Sequence, residues 1–212
     1  MPMYRAACLG LLFFALGATA PMSARDQTFV VQCMQPNGKA SVGAGVLIAR
    51  DRESLTIVTA AHAITTADAL RILDTTRRSY YDVLDLRTLP DYDLAIIRVR
   101  AQAGFTADAP RMASPATGEA VWLWGHPGDG FWLAASGSVL DASAQLRGEV
   151  GNPRITIACA ECAHGDSGSG VFDAQGRLLG ILTKGWIAPD GSVRFLEVEP
   201  VSVLNQTLVS QH

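Results

Sequence analysis

Strand-length apolar runs punctuated by turn residues recur along nearly the whole chain, and they constrain its fold more than any other feature. Phe29–Cys33 and Ser41–Ala49 flank the turn P-N-G-K. Leu55–Thr59 is dense, Ala69–Leu73 and Tyr81–Leu86 alternate, and Leu94–Val99 is apolar enough to be buried on both faces. Gln102–Pro115 lacks periodicity and reads as a connector. Beyond it come Ala120–Trp124, Phe131–Ala135, Ser138–Asp141, Ile155–Ala158, Gly170–Phe172, Leu178–Thr183 and Val193–Val198. Runs this short, with Gly and Pro between them, predict an all-β chain in two halves of roughly six strands each. The last stretch, P-V-S-V-L-N-Q-T-L-V-S, spaces its apolar residues at three and four and predicts a short closing helix.

The N-terminus stands outside this pattern. Met1–Arg5 carries one positive charge, an apolar run follows, and then come G-A-T-A and M-S-A. This is the layout of a secretory signal peptide at residues 1–24, with a cut after Ala24 because Pro21 obstructs one after Ala20. The apolar run falls short of the ~20 residues that span a bilayer, which argues against a membrane anchor. Residues 25–212 then form the folded part, exported to the periplasm or the medium. With 49% hydrophobic residues and a formal net charge of −3, the chain is globular and has no general attraction to nucleic acid or to anionic membranes. Its expected partner is a protein or peptide substrate.

Leader removal takes Cys8 and leaves Cys33, Cys159 and Cys162. In an oxidising compartment the C-x-x-C pair is most simply a local disulfide, Cys159–Cys162, with Cys33 free. C-A-E-C-A-H misses the haem-attachment spacing by one residue. A zinc site from Cys33, Cys159, Cys162 and His164 has only one pair at finger-like spacing. No metal or cofactor is therefore expected.

Three stretches carry candidate chemistry. In T-A-A-H-A, His62 follows a dense strand, where an imidazole can leave the core; a semi-buried structural histidine is the plain alternative. In D-Y-D-L-A-I-I, a carboxylate preceding a very apolar strand is partly desolvated and needs a donor. A turn aspartate bonding its own backbone would look the same. In H-G-D-S-G-S-G, Gly165 can take torsions that aim its N–H into the loop, the N–H of Ser167 can aim at the same point, and Gly168 keeps the flank of Ser167 open. Glycine-serine loops are common, so no single stretch decides. Together they supply a nucleophile, a base and an orienting acid.

These segments resemble the three active-site segments of the chymotrypsin/trypsin-like serine proteases, most closely the compact bacterial members. S-V-G-A-G-V-L-I, W-G-H-P-G with a later G-S-V, G-R-L-L-G-I-L-T and F-L-E-V-E-P extend the resemblance from about Phe29 to Val201. It implies two packed six-stranded antiparallel barrels, one over about 25–105 and the other over about 116–212. It also implies a serine endopeptidase in which His62 is the base, Asp93 its orienting partner and Ser167 the nucleophile. Gly165 and Ser167 would supply the oxyanion N–H groups, and Asp91 is the nearest competitor for the acid. Alignment of the motifs places Glu161 near the base of the primary pocket, His164 at its rim and Thr183, Lys184 and Gly185 along its wall. A buried Glu161 would favour a basic side chain, Lys184 or Arg194 nearby could neutralise it or favour an acidic one, and an exposed Glu161 would select nothing; His126 reads as a loop residue. The chain lacks the usual Ile-Val-Gly-Gly start, so Asp166 is expected to find a donor other than a freed N-terminus. An α/β-hydrolase elbow is excluded by the order of the residues, because only His212 follows Ser167. A catalytically silent binding module and an esterase on the same barrels are the remaining alternatives.

Overall fold

A computed structural model describes residues 20–35, 38–65, 68–125, 133–144, 154–187 and 193–204. The front half comprises β1 (Thr28–Met34), β2 (Ala40–Arg50), β3 (Ser54–Ala60), β4 (Ala69–Asp74), β5 (Ser79–Tyr81), β6 (Val83–Leu89) and β7 (Leu94–Arg100). They form one antiparallel sheet in the order β5-β4-β1-β2-β3-β7-β6. The sheet curls until β4 approaches β6. The rear half is a closed barrel in the order β10-β13-β12-β11-β8-β9. Its strands are β8 (Ala120–Gly125), β9 (Leu133–Ala144), β10 (Arg154–Ala158), β11 (Gly170–Phe172), β12 (Leu178–Ile187) and β13 (Val193–Pro200). The chain is therefore all-β and trypsin-like, and it turns helical again at 201–204. The rest of the expected closing helix lies outside the described residues.

The dense strands are dense because both of their faces are covered. Along β2, Leu47 points into the front core while Val46 and Ile48 point at the other half. Along β7, Ala95, Ile97 and Val99 take the front core, and Leu94 and Ile96 the interface. Successive side chains of a strand leave on opposite faces, so two covered faces need an unbroken apolar run. The interface core adds Phe172, Leu178 and Ile181 from the rear barrel, whose own interior holds Val121, Leu123, Ile155, Ile157 and Val198. Each fully buried aliphatic side chain here contributes about 1.5–3 kcal/mol of transfer free energy.

Two strand boundaries differ from expectation. The run Tyr81–Leu86 is divided at Asp82 between β5 and β6. The two runs on either side of Gly137 are one strand, β9. A Cβ at Gly137 would lie 2.2 Å from the Ala158 carbonyl oxygen, so this glycine lets β10 approach closely and does not break the strand. The connector keeps no strand of its own among the described residues. It is pinned to the rear barrel by Ala113 N–H to Leu178 O and Leu178 N–H to Arg111 O.

The segment before β1 also packs. A short helix, α1 (Met22–Asp26), places a fully buried Ala24 in the interface core, with Ala20 against the same cluster. Trp124 Nε1 donates to the Pro21 carbonyl at 3.3 Å, and Thr28 Oγ1 to the Ala24 carbonyl at 2.8 Å. The expected cut after Ala24 falls inside this helix.

Candidate active site

Antiparallel pairing of β3 with β7 sets Ala60 opposite Leu94. The turn after β3 and the turn before β7 therefore emerge side by side. Ala61 N–H donates to the Asp93 carbonyl at 2.8 Å, and His62 N–H to Asp93 Oδ1 at 2.8 Å. His62 Nδ1 lies 2.6 Å from Asp93 Oδ2. Asp93 sits in the left-handed region, φ 51° and ψ 37°, a conformation that aspartate tolerates better than most residues. Asp91 lies exposed in the preceding turn, so the carboxylate that meets the imidazole belongs to Asp93.

The third group arrives from the rear barrel, where Ser167 Oγ is 3.0 Å from His62 Nε2. With Nδ1–H donated to the carboxylate, Nε2 is left as the acceptor for the hydroxyl proton. The hydrogen bond that His62 donates to Asp93 raises the His62 pKa above its ordinary 6.5, against the opposing effect of burial. The side chains of His62 and Asp93 remain 48% and 32% exposed.

The serine loop is tied to both halves. Ala44 N–H of β2 donates to the Ser167 carbonyl, and Gly168 N–H to the Leu182 carbonyl, each at 2.8 Å. Gly168 has φ +87°, and a Cβ there would lie 2.0 Å from the Ala44 carbonyl oxygen. Only glycine fits such an approach. Gly165 has φ +106°, and among the described residues no backbone carbonyl takes its N–H or that of Ser167. Beneath the turn, the buried carboxylate of Asp166 accepts the Ala163 N–H at 2.8 Å. Its pKa is raised by burial, with that hydrogen bond opposing. Gly125 makes room for it, since a Cβ there would lie 2.1 Å from Asp166 Oδ1. Cys159 and Cys162 form a disulfide just upstream, and Cys33 is free and buried in the front half.

A cleft of about 540 Å³ opens beside His62 and Ser167. Of the expected pocket residues, His164, Thr183, Lys184 and Gly185 line it, and Glu161 does not; its side chain is exposed. Sequence reasoning missed Cys162, Ala163, Leu182 and Leu196 on the lining. Leucines in apolar strands give no sign of which one faces a cleft. His126 lies outside the described residues.

The trypsin-like peptidase domain family matches this chain over residues 43–181, which includes His62, Asp93 and Ser167. The chain belongs to that family. Its class is serine-type endopeptidase, a hydrolase. No curated protein matches it significantly. Among solved structures it is similar to the active form of the Rv3671c protease from M. tuberculosis, at 19% identity and TM-score 0.70 over 96% of this chain and 91% of that one. It is also similar to the HtrA-type protease AlgW with tripeptide, at 17% identity and TM-score 0.71, covering 90% of this chain and 63% of the other. At these identities the structural likeness speaks to fold, and this trypsin-like peptidase shares that fold over nearly its whole described length. No described helix is long and apolar enough to cross a membrane.

Proposed function

We propose that this chain is an exported serine endopeptidase working through an acyl-enzyme, with His62, Asp93 and Ser167 as its catalytic residues. The observation that carries the reading is the continuous contact from carboxylate to imidazole to hydroxyl, 2.6 Å and then 3.0 Å, at the mouth of the cleft. Ser167 Oγ attacks the peptide carbonyl carbon while His62 Nε2 takes its proton. The oxyanion is met by the N–H groups of Gly165 and Ser167. His62 then protonates the leaving amine, the C–N bond breaks, and an ester to Ser167 remains. Water adds to that ester as His62 accepts its proton, and Ser167 Oγ leaves with the proton returned. Asp93 holds the imidazole in the required tautomer throughout. Because Asp166 draws on the Ala163 N–H, no cleavage that frees a new N-terminus is needed for activity.

Labelling with a fluorophosphonate tests the reading. The wild-type chain is expected to label stoichiometrically and Ser167→Ala not at all. Folded wild-type protein that fails to label would point instead to a silent binding module, and ester turnover without peptide cleavage to an esterase.

Export is part of the same proposal, through a leader occupying the N-terminal apolar run, to the periplasm or the medium. We place the cut upstream of Ala20 rather than after Ala24, because a cut after Ala24 would strip most of α1 and the buried Ala24 from the interface core. N-terminal sequencing of exported protein checks this. A mature chain beginning at Arg25 would contradict it.

A further inference from the structure

The side chain on the acyl side of the cleaved bond stands two bonds from the carbonyl carbon that Ser167 attacks, and the cleft that Ser167 lines is the space within its reach. Leu196 lines it. In β13 this residue pairs with Gly185 of β12, and a Cβ at Gly185 would already lie 3.2 Å from Leu196 Cδ2. The absent side chain at 185 leaves space in which Leu196 is the nearest neighbour. Leu182 and Leu196 are 3% and 4% exposed, and both belong to the rear barrel's interior core. Cys162, committed to the disulfide with Cys159, also lines the cleft.

A charged side chain brought against these leucines would lose its water; among the described residues the ionisable groups that line the cleft are His62, Asp93, His164 and Lys184, and the last two are exposed. Asp93 is engaged by the imidazole and backbone N–H of His62. Asp166 is turned beneath the serine loop onto the Ala163 N–H. Glu197 leaves β13 on the face opposite Leu196, and its carboxylate accepts from Arg154 and from Trp186 Nε1. Lys184 stands at the exposed rim with its ammonium 4.6 Å from the centroid of the Trp186 ring. An uncompensated buried charge is among the most unfavourable arrangements a protein can adopt, whereas an aliphatic group gains by leaving water.

We propose that the cleft takes an uncharged aliphatic side chain, of alanine to leucine size, on the acyl side of the scissile bond, and that Leu196 sets that limit. This rests on the peptidase reading of the site. The test is a peptide series, otherwise identical, varied at that one position and cleaved by the full exported chain. Peptides with Ala, Val or Leu there should exceed those with Lys, Arg, Asp or Glu in kcat/KM on the order of 100-fold. Leu196→Ala should move the optimum toward Phe and Tyr, and Gly185→Val should narrow it toward Ala. Preferred cleavage after a charged residue would overturn the proposal. So would an unchanged profile in both variants. Should Leu196→Ala fail to fold, the wild-type profile and Gly185→Val decide. A chain that labels at Ser167 but prefers charged residues sinks this inference alone. A chain that neither labels nor cleaves any peptide sinks the peptidase reading and takes this inference with it.

Discussion

His62 is gripped through its backbone N–H and through Nδ1 by the two carboxylate oxygens of one residue, which fixes both where the ring sits and which nitrogen faces Ser167. That grip raises its pKa, so the neutral base is recovered only above the ordinary histidine value of 6.5. Activity should therefore fall on acidification along a limb whose midpoint lies above 6.5. Stability runs the other way. A pKa raised in the folded state stabilises below 6.5, and that contribution is lost as pH rises through the folded value. Asp93→Asn should lower kcat by about 10⁴, as loss of the orienting acid does in the worked serine-protease triad, and shift the limb downward. A pH profile of kcat/KM for both proteins checks this, and an unmoved limb in the Asn variant would contradict it. The three side chains that meet here were marked in the sequence by local signals that decided nothing singly and pointed to one site only in combination. Gly168 was legible only in part. Its lack of a side chain reads as an open flank, but what demands it is the Ala44 carbonyl, contributed by a strand from the other half of the molecule.

The strand β13 shows where an alternating pattern misleads. Leu196 and Val198 enter the barrel core, so Glu197 and Glu199 take the other face and would ordinarily meet water. Here they are 0% and 1% exposed. One guanidinium serves both, since Arg154 of β10 reaches Glu197 Oε2 at 2.8 Å and Glu199 Oε1 at 2.7 Å. Glu197 also receives the Trp186 indole N–H. Glu199 meets Arg154 as an ion pair without hydrogen-bond alignment, and among the described residues neither of its oxygens has another donor. Burial pushes its pKa up to about 7; Arg154 opposes the shift, while the charges of Asp93 and Glu197 add to it. The protonated form is thus favoured by folding. That stabilisation is complete below 4.5 and is lost as pH rises through about 7. Glu199→Gln should match the wild type near pH 4.5 and become the more stable protein above pH 7, by up to about 3 kcal/mol. Melting temperatures of the pair across that range decide it. A gap that stays flat, or that opens in favour of the wild type, would show that pairing with Arg154 outweighs burial. No rule read along one strand could have disclosed this cluster, because what covers the outer face of β13 comes from elsewhere in the fold.

Across the whole molecule, the site exists only where the halves meet. His62 and Asp93 are 31 residues apart in the front sheet, and Ser167 lies 105 residues from His62 in the rear barrel. The halves were visible in the sequence as two sets of short apolar runs around an aperiodic connector. Their mutual placement was not, since it depends on side chains such as Val46, Val58, Phe172 and Ile181 whose partners lie far away in the chain. The Ala44-to-Ser167 backbone bond then sets the register of one half on the other within hydrogen-bond tolerance. A site assembled this way should act as a unit, each member useful only when the others are in place. The most direct test is a double-mutant cycle on peptide hydrolysis, comparing His62→Ala, Ser167→Ala and the two together. Cooperation predicts that each single variant loses on the order of 10⁶ in kcat and that the double variant loses no more than either alone. Losses that multiply in the double variant, or substantial turnover by Ser167→Ala, would contradict it.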